Sequence, residues 1–315
     1  MSKFLNLGII QSAGDPDIGR NLDRIEKNVD DLMSRTMKPE LICGVELGVG
    51  SLWEKEGYYD TIPGRATERL SKIAEKHGVY LIPGSMTESV READGSVKYY
   101  NSIPVFGPKG ELIDVYRKMC PYYPNEEAIT RGEKFVVFEI PEKNIKVGVI
   151  NCHDWCFPEM SRAVTLMGAE LILRPAVDPE GLYDVCKSIS PTRAFENQAY
   201  FASVNMVGRY NHLDAYGRSN IYAPDASLIY EAGDKECLVT VTLDMSVVEN
   251  ARRYGTCYTE QLLRQYKYFN IRNPYEGKLD EAPLYRDLPD PDLNLADQKK
   301  RLKEIGIMSI GKSSE

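Results

Sequence analysis

Residues 146–159 read Lys-Val-Gly-Val-Ile-Asn-Cys-His-Asp-Trp-Cys-Phe-Pro-Glu. A short apolar run stops at Asn151, Cys152 follows at once, and Pro158-Glu159 opens a helical pattern. Pro fits the first turn of a helix, where its missing N–H costs nothing. The segment therefore reads as strand, tight turn and helix start. A thiol on such a turn stands at the top of a sheet, near backbone N–H groups able to stabilise an oxyanion. Covalent thiol chemistry is the first functional expectation. The rest of the chain must then supply a base and a positive charge.

Apolar periodicity organises most of the chain. Strands are expected at residues 4–11, 41–47, 79–88, 170–176, 200–205 and 238–244. Hairpins are expected over 99–116, around the turn 141–144, and over 219–232. Helical stripes are expected at 21–35, 66–78, 158–169, 191–199 and from 245 to about 253, the second closed by Gly78. Hairpins mixed with crossovers, and strands apolar on both faces, predict two mixed sheets packed together with helices outside. Beyond residue 261 periodicity fades into a segment rich in Pro, Asp, Tyr and Lys. Its tyrosines suit packing against a neighbouring subunit.

The 315 residues carry a net charge of −8 and no Lys/Arg block of the kind that binds nucleic acid. No apolar run is long enough to span a membrane. Residues 1–14 resemble a signal peptide superficially, but the apolar part runs into Gln11 and Ser12, as in a first buried strand. The seven cysteines are scattered and the three histidines far apart, without metal-ligand spacing. Reduced thiols in a cytoplasmic protein without a metal or organic cofactor are expected. Cys156 lies four residues after Cys152, and spacing alone does not say whether the two can meet.

The base is not evident from histidines. His153 adjoins Cys152, and adjacent side chains rarely face each other, while His77 and His212 have no distinctive context. A carboxylate is the other option. Glu46 ends the apolar run 41–47, and Lys118 ends a hairpin strand. Taken singly, each reads equally as a solvated strand-end charge. Together with Cys152 they form an ordered set of strand-end groups.

That set carries a resemblance. Glu46, Tyr116-Arg-Lys118 and Cys152-His-Asp154 through Pro158-Glu159 resemble the nitrilase superfamily of carbon–nitrogen hydrolases. Residues 167–172, Arg193 to Asn197 with 200–205, and Gly217 to Ile221 with Pro224-Asp225 are similar to later family segments. The resemblance spans about residues 4–255. It implies a four-layer αββα sandwich, a catalytic domain over 1–261 and a C-terminal arm over 262–315 that packs between subunits of a homo-oligomer, a dimer or higher. By that resemblance Cys152 is the nucleophile, Glu46 the general base and Lys118 the cation for the tetrahedral intermediate. Glu126, eight residues after Lys118, occupies the position of a further glutamate in the aliphatic-amidase branch and is preferred on spacing to Glu127.

Physical chemistry agrees in outline: a cation beside the thiol favours the thiolate, and burial and charge act in opposite senses on Glu46. Asp154 and His153 resemble amidases and formamidases rather than nitrilases. Val45 replaces the family's usual Pro, and Tyr122 stands where aliphatic amidases carry a Trp. Tyr122, His153 and Trp155 are the expected pocket residues, with Trp155 able to serve instead as a core aromatic. The expected activity is hydrolysis of a small linear amide to carboxylate and ammonia through a thioester. The alternatives are an N-carbamoyl amidohydrolase, for which Arg174 and Arg209 are candidate carboxylate partners, a nitrilase, and a silent scaffold built on the same fold.

Overall fold

The first strand shows how the layers arise. In β1 (Phe4–Gln11), Leu5, Leu7 and Ile9 are buried on one face and Ile10 on the other, so from Leu7 onward this strand has no solvent side. A computed structural model describes residues 3–268, except 53–57, 124, 212 and 257–260, together with 282, 283, 300 and 304. In chain order come α1 (Ile18–Met33), β2 (Leu41–Cys43), α2 (Arg65–His77), β3 (Tyr80–Ile82), β4 (Met86–Arg91), β5 (Val97–Phe106), β6 (Leu112–Arg117), β7 (Val136–Ile140) and β8 (Ile145–Val149). After a 3-10 turn over Cys152–Cys156 follow α3 (Pro158–Leu166), β9 (Leu171–Ala176), α4 (Tyr183–Asn197), β10 (Tyr200–Asn205), β11 (Val207–Tyr210), β12 (Leu213–Tyr216), β13 (Asn220–Tyr222), β14 (Leu228–Glu231), β15 (Cys237–Asp244), α5 (Ser246–Tyr254) and α6 (Leu262–Tyr266).

One mixed sheet runs β15-β1-β2-β3-β5-β4, with β6 also on β5; the other runs β14-β13-β10-β9-β8-β7. Their inner faces share one core: Leu5, Leu7, Ile9 and Leu41 meet Val136, Val147, Val149 and Leu173. The outer face of the first sheet packs Ile10, Ile42 and Leu81 under α1 and α2 through Leu22, Ile25, Val29, Leu70 and Ile73. On the second sheet, Val164 of α3 and Ala194 of α4 join the core, and a Cβ on Gly148 would lie 2.9 Å from that of Val164. This is the αββα sandwich. Each aliphatic side chain sealed between layers contributes about 1.5–3 kcal/mol.

Local signals agree with this order. Asp17 caps α1 by accepting from Arg20 N, and Gly78 closes α2 in the left-handed conformation (φ 63°). Three expectations are corrected. The strand expected over 41–47 ends at Cys43, and that over 79–88 divides into β3 and β4. Both breaks have one cause: the chains at Gly44-Val45 and Pro83-Gly84 press together, with Gly44 N donating to Ile82 O (2.8 Å) and Ser85 N to Val45 O (3.3 Å). The helix expected from 191 begins eight residues earlier, at Tyr183, and contains Pro191. Burial of Cys186 and Ser190 in that added stretch outweighs the helix-breaking tendency of Pro. The hairpin β11–β12 was not legible, because 207–216 lacks an apolar alternation.

Most of the expected 262–315 arm lies outside the described residues. Residues 261–268 pack back on their own chain, with Leu263 N donating to Gln198 Oε1 at 3.3 Å and the Arg162 guanidinium over the Tyr266 ring at 5.2 Å.

The contact at Gly84 lifts Glu46 out of β2 and into the site. Gly84 has φ 101°, and a Cβ there would overlap the Val45 carbonyl. Gly84→Ala should therefore destabilise the protein by about 1–3 kcal/mol and impair activity. Gly78→Ala, where the space is open, should cost only about 1 kcal/mol. Urea unfolding of both variants checks the difference.

Candidate active site

Three charged side chains meet between the sheets. Lys118 follows β6, Glu46 sits in the turn after β2, and Glu126 lies in the loop before β7; each is at most 3 % exposed. Lys118 Nζ is 2.8 Å from Glu46 Oε1 and 2.6 Å from Glu126 Oε2. Asn101 of β5 completes the ring, its Nδ2 donating to Glu46 Oε1 (2.9 Å) and Glu126 Oε1 (2.6 Å). Two backbone donors add to the set: Val177 N to Glu46 Oε2 (3.0 Å) and Tyr122 N to Glu126 Oε2 (2.6 Å). Glu127, the competitor of Glu126, is exposed.

Burial works against the Lys118 ammonium, but Glu126 and Glu46 outweigh it and hold the group well above the ordinary lysine value. Burial raises Glu46 above its ordinary 4.5, with Lys118 pulling it down and Glu126 pushing it up. Lys118 is therefore a fixed cation, and Glu46 a carboxylate with more affinity for a proton than usual.

Cys152 follows β8 with φ 45°, in the left-handed region that a non-glycine residue enters at a cost. Asp154 stabilises this turn. It is fully buried, accepts from Asn151 N (2.8 Å), Cys120 N (2.8 Å) and Tyr116 Oη (2.6 Å), and so ties the Cys152 turn to the segment carrying Lys118. Burial lifts its pKa to about 6 despite these donors. Arg174 Nε donates to Cys152 O at 2.9 Å. Burial and Glu46 push the Cys152 thiol well above its usual range, and Lys118, which favours the thiolate, does not offset them.

Glu46, Lys118, Glu126 and Cys152 face one small cavity. Its other walls are mainly apolar: Leu47, Leu52, Tyr122, Val177, Tyr210 and Leu213, with Asn125 and Asn211. Tyr210 and Asn211 come from the β11–β12 hairpin, which reaches the opposite wall through Tyr210 Oη to Ser51 O and Asn211 Nδ2 to Leu52 O (3.3 Å).

Tyr122 thus lies where expected, but two pocket expectations are corrected. Trp155 is 3 % exposed, lies near-parallel to Phe201 at 6.5 Å and has the Arg174 guanidinium over its face at 3.4 Å, so it is a core aromatic and not a pocket wall. His153 also does not line the cavity. Its Nδ1 is 3.2 Å from Cys120 O, and its ring packs edge-on with Tyr122 and Phe157. Burial and Lys118 lower its pKa, which keeps the ring neutral. Arg174 is committed to Asp178 and Cys152, while Arg209 is exposed with Nε toward Asn211 O (3.3 Å). Among the described residues no group of three or more His, Cys, Asp or Glu could hold a metal. Among the same residues no helix is long and apolar enough to cross a membrane.

The chain belongs to the carbon–nitrogen hydrolase family, which it matches over residues 6–253. It is similar to the omega-amidase NIT2 of Xenopus tropicalis, 28% identical over 80% of this chain and 92% of the relative. It is also similar to a nitrilase of Pyrococcus abyssi, 35% identical over 60% of this chain and 68% of the relative. Among solved structures it shares its fold with Saccharomyces cerevisiae Nit3 (TM-score 0.70, 24% identity, 79% of this chain and 93% of that one). It shares it too with an amidase of Nesterenkonia sp. AN1, a mutant of which was solved with the acetamide moiety of fluoroacetamide added covalently at the active-site cysteine (TM-score 0.66, 23% identity, 85% and 97%). The protein is therefore a carbon–nitrogen hydrolase, with the nitrilase-type sandwich.

Asp154→Asn leaves the volume unchanged but turns an amide N–H₂ toward a site built of donors. The expected loss is about 1–3 kcal/mol in denaturant unfolding, because a buried donor is left unsatisfied. An unchanged midpoint would contradict the role given to this carboxylate.

Proposed function

We propose that this carbon–nitrogen hydrolase is a cysteine-dependent amidase that converts a small linear amide to a carboxylate and ammonia. The observation that carries the reading is the convergence of Cys152, Glu46, Lys118 and Glu126 on one small cavity with mainly apolar walls. The likeness to an omega-amidase over 92% of that relative's length supports it, as does the covalent cysteine adduct in the Nesterenkonia amidase.

In this reading the Cys152 sulfur attacks the amide carbon as Glu46 takes the thiol proton. The carbonyl oxygen, now an oxyanion, is met by Lys118 Nζ and the His153 backbone N–H. Glu46 returns the proton to the nitrogen, the C–N bond breaks and ammonia leaves a thioester on Cys152. Glu46 next takes a proton from water, whose oxygen attacks the thioester. The proton on Glu46 goes back to the sulfur and the acid leaves, giving its remaining proton to solvent as it becomes the carboxylate. Glu126 holds Lys118 and, through Tyr122 N, the adjoining wall. Each step uses groups of this chain and water alone.

The cavity favours an amide over an N-carbamoyl amino acid. Lys118 is the only cation lining it among the described residues, and both its carboxylate partners already claim it. An acyl group that is short and apolar suits Leu47, Leu52, Val177 and Leu213. A nitrile substrate is the second reading, motivated by the likeness to the Pyrococcus abyssi nitrilase.

Ammonia release from short aliphatic amides, ω-amides, N-carbamoyl compounds and nitriles tests the reading. Hydrolysis should be confined to amides and absent in Cys152→Ala. Glu46→Gln should lower kcat by about 10²–10⁴-fold, the usual contribution of a general base. Activity confined to nitriles or carbamoyl compounds, or retained by Cys152→Ala, would refute it. The pH dependence has a definite sign. Glu46 acts only when ionised, so kcat/KM should fall as pH drops through a midpoint above 4.5. A midpoint at or below that value would contradict the buried base.

A further inference from the structure

A second buried ion pair touches Cys152, and the catalytic cycle above does not use it. Arg174 of β9 and Asp178, two residues past that strand, form a bidentate pair at 2.7 Å for both contacts. Arg174 is fully buried and Asp178 is 3 % exposed. The guanidinium also donates to Ser203 Oγ (2.8 Å) and to the backbone carbonyl of Cys152 (2.9 Å), and it lies on Trp155. Asp178 Oδ1 is 3.8 Å from Cys152 Sγ, within hydrogen-bonding reach for sulfur. Asp178 is fixed in turn by its N–H to Asn205 Oδ1 (2.8 Å) and by Tyr216 Oη to its Oδ2 (3.3 Å).

As a stability device such a pair is inefficient, because desolvating two charges offsets much of their attraction. What distinguishes it is its reach: one member grips the main chain and the other the side chain of a single residue held at positive φ. We propose that Arg174 and Asp178 are positioning residues for the nucleophile. Arg174 holds the strained Cys152 turn by its carbonyl, and Asp178 gives the thiol a second acceptor besides Glu46. The proposal rests on Cys152 being the nucleophile of the amidase reading.

The role has a chemical consequence. The proton that Glu46 gives to departing ammonia is the one it took from the thiol. A resting thiolate would lack that proton. The charged and titratable groups facing Cys152 are Glu46, Lys118, Asp178, Arg174 and Tyr122, and Asp178 is faced also by Tyr216, Cys186 and Cys156. After burial and Glu46, Asp178 raises the thiol pKa, while Lys118 and Arg174 lower it. Asp178→Asn removes one upward influence and leaves both cations.

The test follows iodoacetamide alkylation of the Cys152 peptide by mass spectrometry, beside kcat and KM for the best amide. Asp178→Asn should alkylate about tenfold faster at neutral pH, because a larger share of the thiol is then thiolate. It should lose at least about tenfold in kcat with KM within about twofold, as expected when an interaction that serves the chemical step is removed. A general loosening would speed alkylation by exposing the buried thiol without moving its pH profile, so alkylation is followed across pH, and in Asp178→Asn its rise should move to lower pH. Because Asp178→Asn leaves Arg174 unpaired and can prevent folding, the double variant Arg174→Gln/Asp178→Asn, with neither charge, is measured in parallel. It should show the same kcat loss without the faster alkylation. Alkylation and kcat both within about twofold of the parent in a folded Asp178→Asn, or an unchanged kcat in the double variant, would overturn the proposal. Cys152→Ala separates the two claims: if it still hydrolyses the amide, the amidase reading fails; if it is inert, these outcomes bear on the pair alone.

Discussion

A lysine ammonium sealed between two carboxylates governs this structure. Lys118 lies 2.8 Å from Glu46 and 2.6 Å from Glu126, buried away from solvent. Three charges cannot stay in a sandwich core unless each is paired and hydrogen-bonded, and removing one partner of such a set typically costs about 3–5 kcal/mol. Every element around the site answers that demand. β5 supplies Asn101, the end of β9 supplies Val177 N–H, and the loop before β7 supplies Tyr122 N–H. The two sheets are joined at this point by polar contacts as well as by their aliphatic core.

The arrangement has one negative charge in excess, and this shapes the chemistry. A lone cation near a thiol would produce a thiolate. Here the cation is shared by two carboxylates, and the buried thiol keeps its proton. In the proposed amidase cycle nucleophile and acid–base catalyst are therefore linked, the sulfur becoming reactive only as Glu46 accepts its proton. Burial raises both Glu46 and Cys152 above their ordinary values. The strained Cys152 turn is held from two directions in sequence, by Asp154 within the turn and by Arg174 from β9.

Much of this was legible in the sequence because periodicity and spacing record what is buried. Strand β1, helices α1 and α2, and the strand–turn–helix at Cys152 follow from their apolar patterns. The grouping of Glu46, Lys118 and Cys152 was legible through their order at strand ends together with the family resemblance, and that of Glu126 through the resemblance alone. What failed was direction. Adjacency to Cys152 suggested pocket roles for His153 and Trp155, but a tight turn sends successive side chains to different places, and Trp155 goes into the core. Glu46 was read as a strand end, whereas the Gly44–Gly84 crossing ends the strand earlier. Asn101 and Asp178 left no local signal, because an amide in a strand and an acid after one are common. Their importance lies in contacts 55 and 26 residues away in sequence. The apolar cavity wall was hidden for the same reason, being assembled from 47–52, 177 and the β11–β12 hairpin.

In the proposed cycle the sulfur of Cys152 becomes covalently acylated by the amide under control of this buried network. Rapid-quench mixing with a turnover amide, followed by proteolysis and mass spectrometry, makes that adduct visible. An acyl group should appear on the Cys152 peptide alone, formed with the first equivalent of ammonia and lost as carboxylate appears. Steady ammonia release with no adduct at any time, or an adduct on another cysteine, would contradict that cycle.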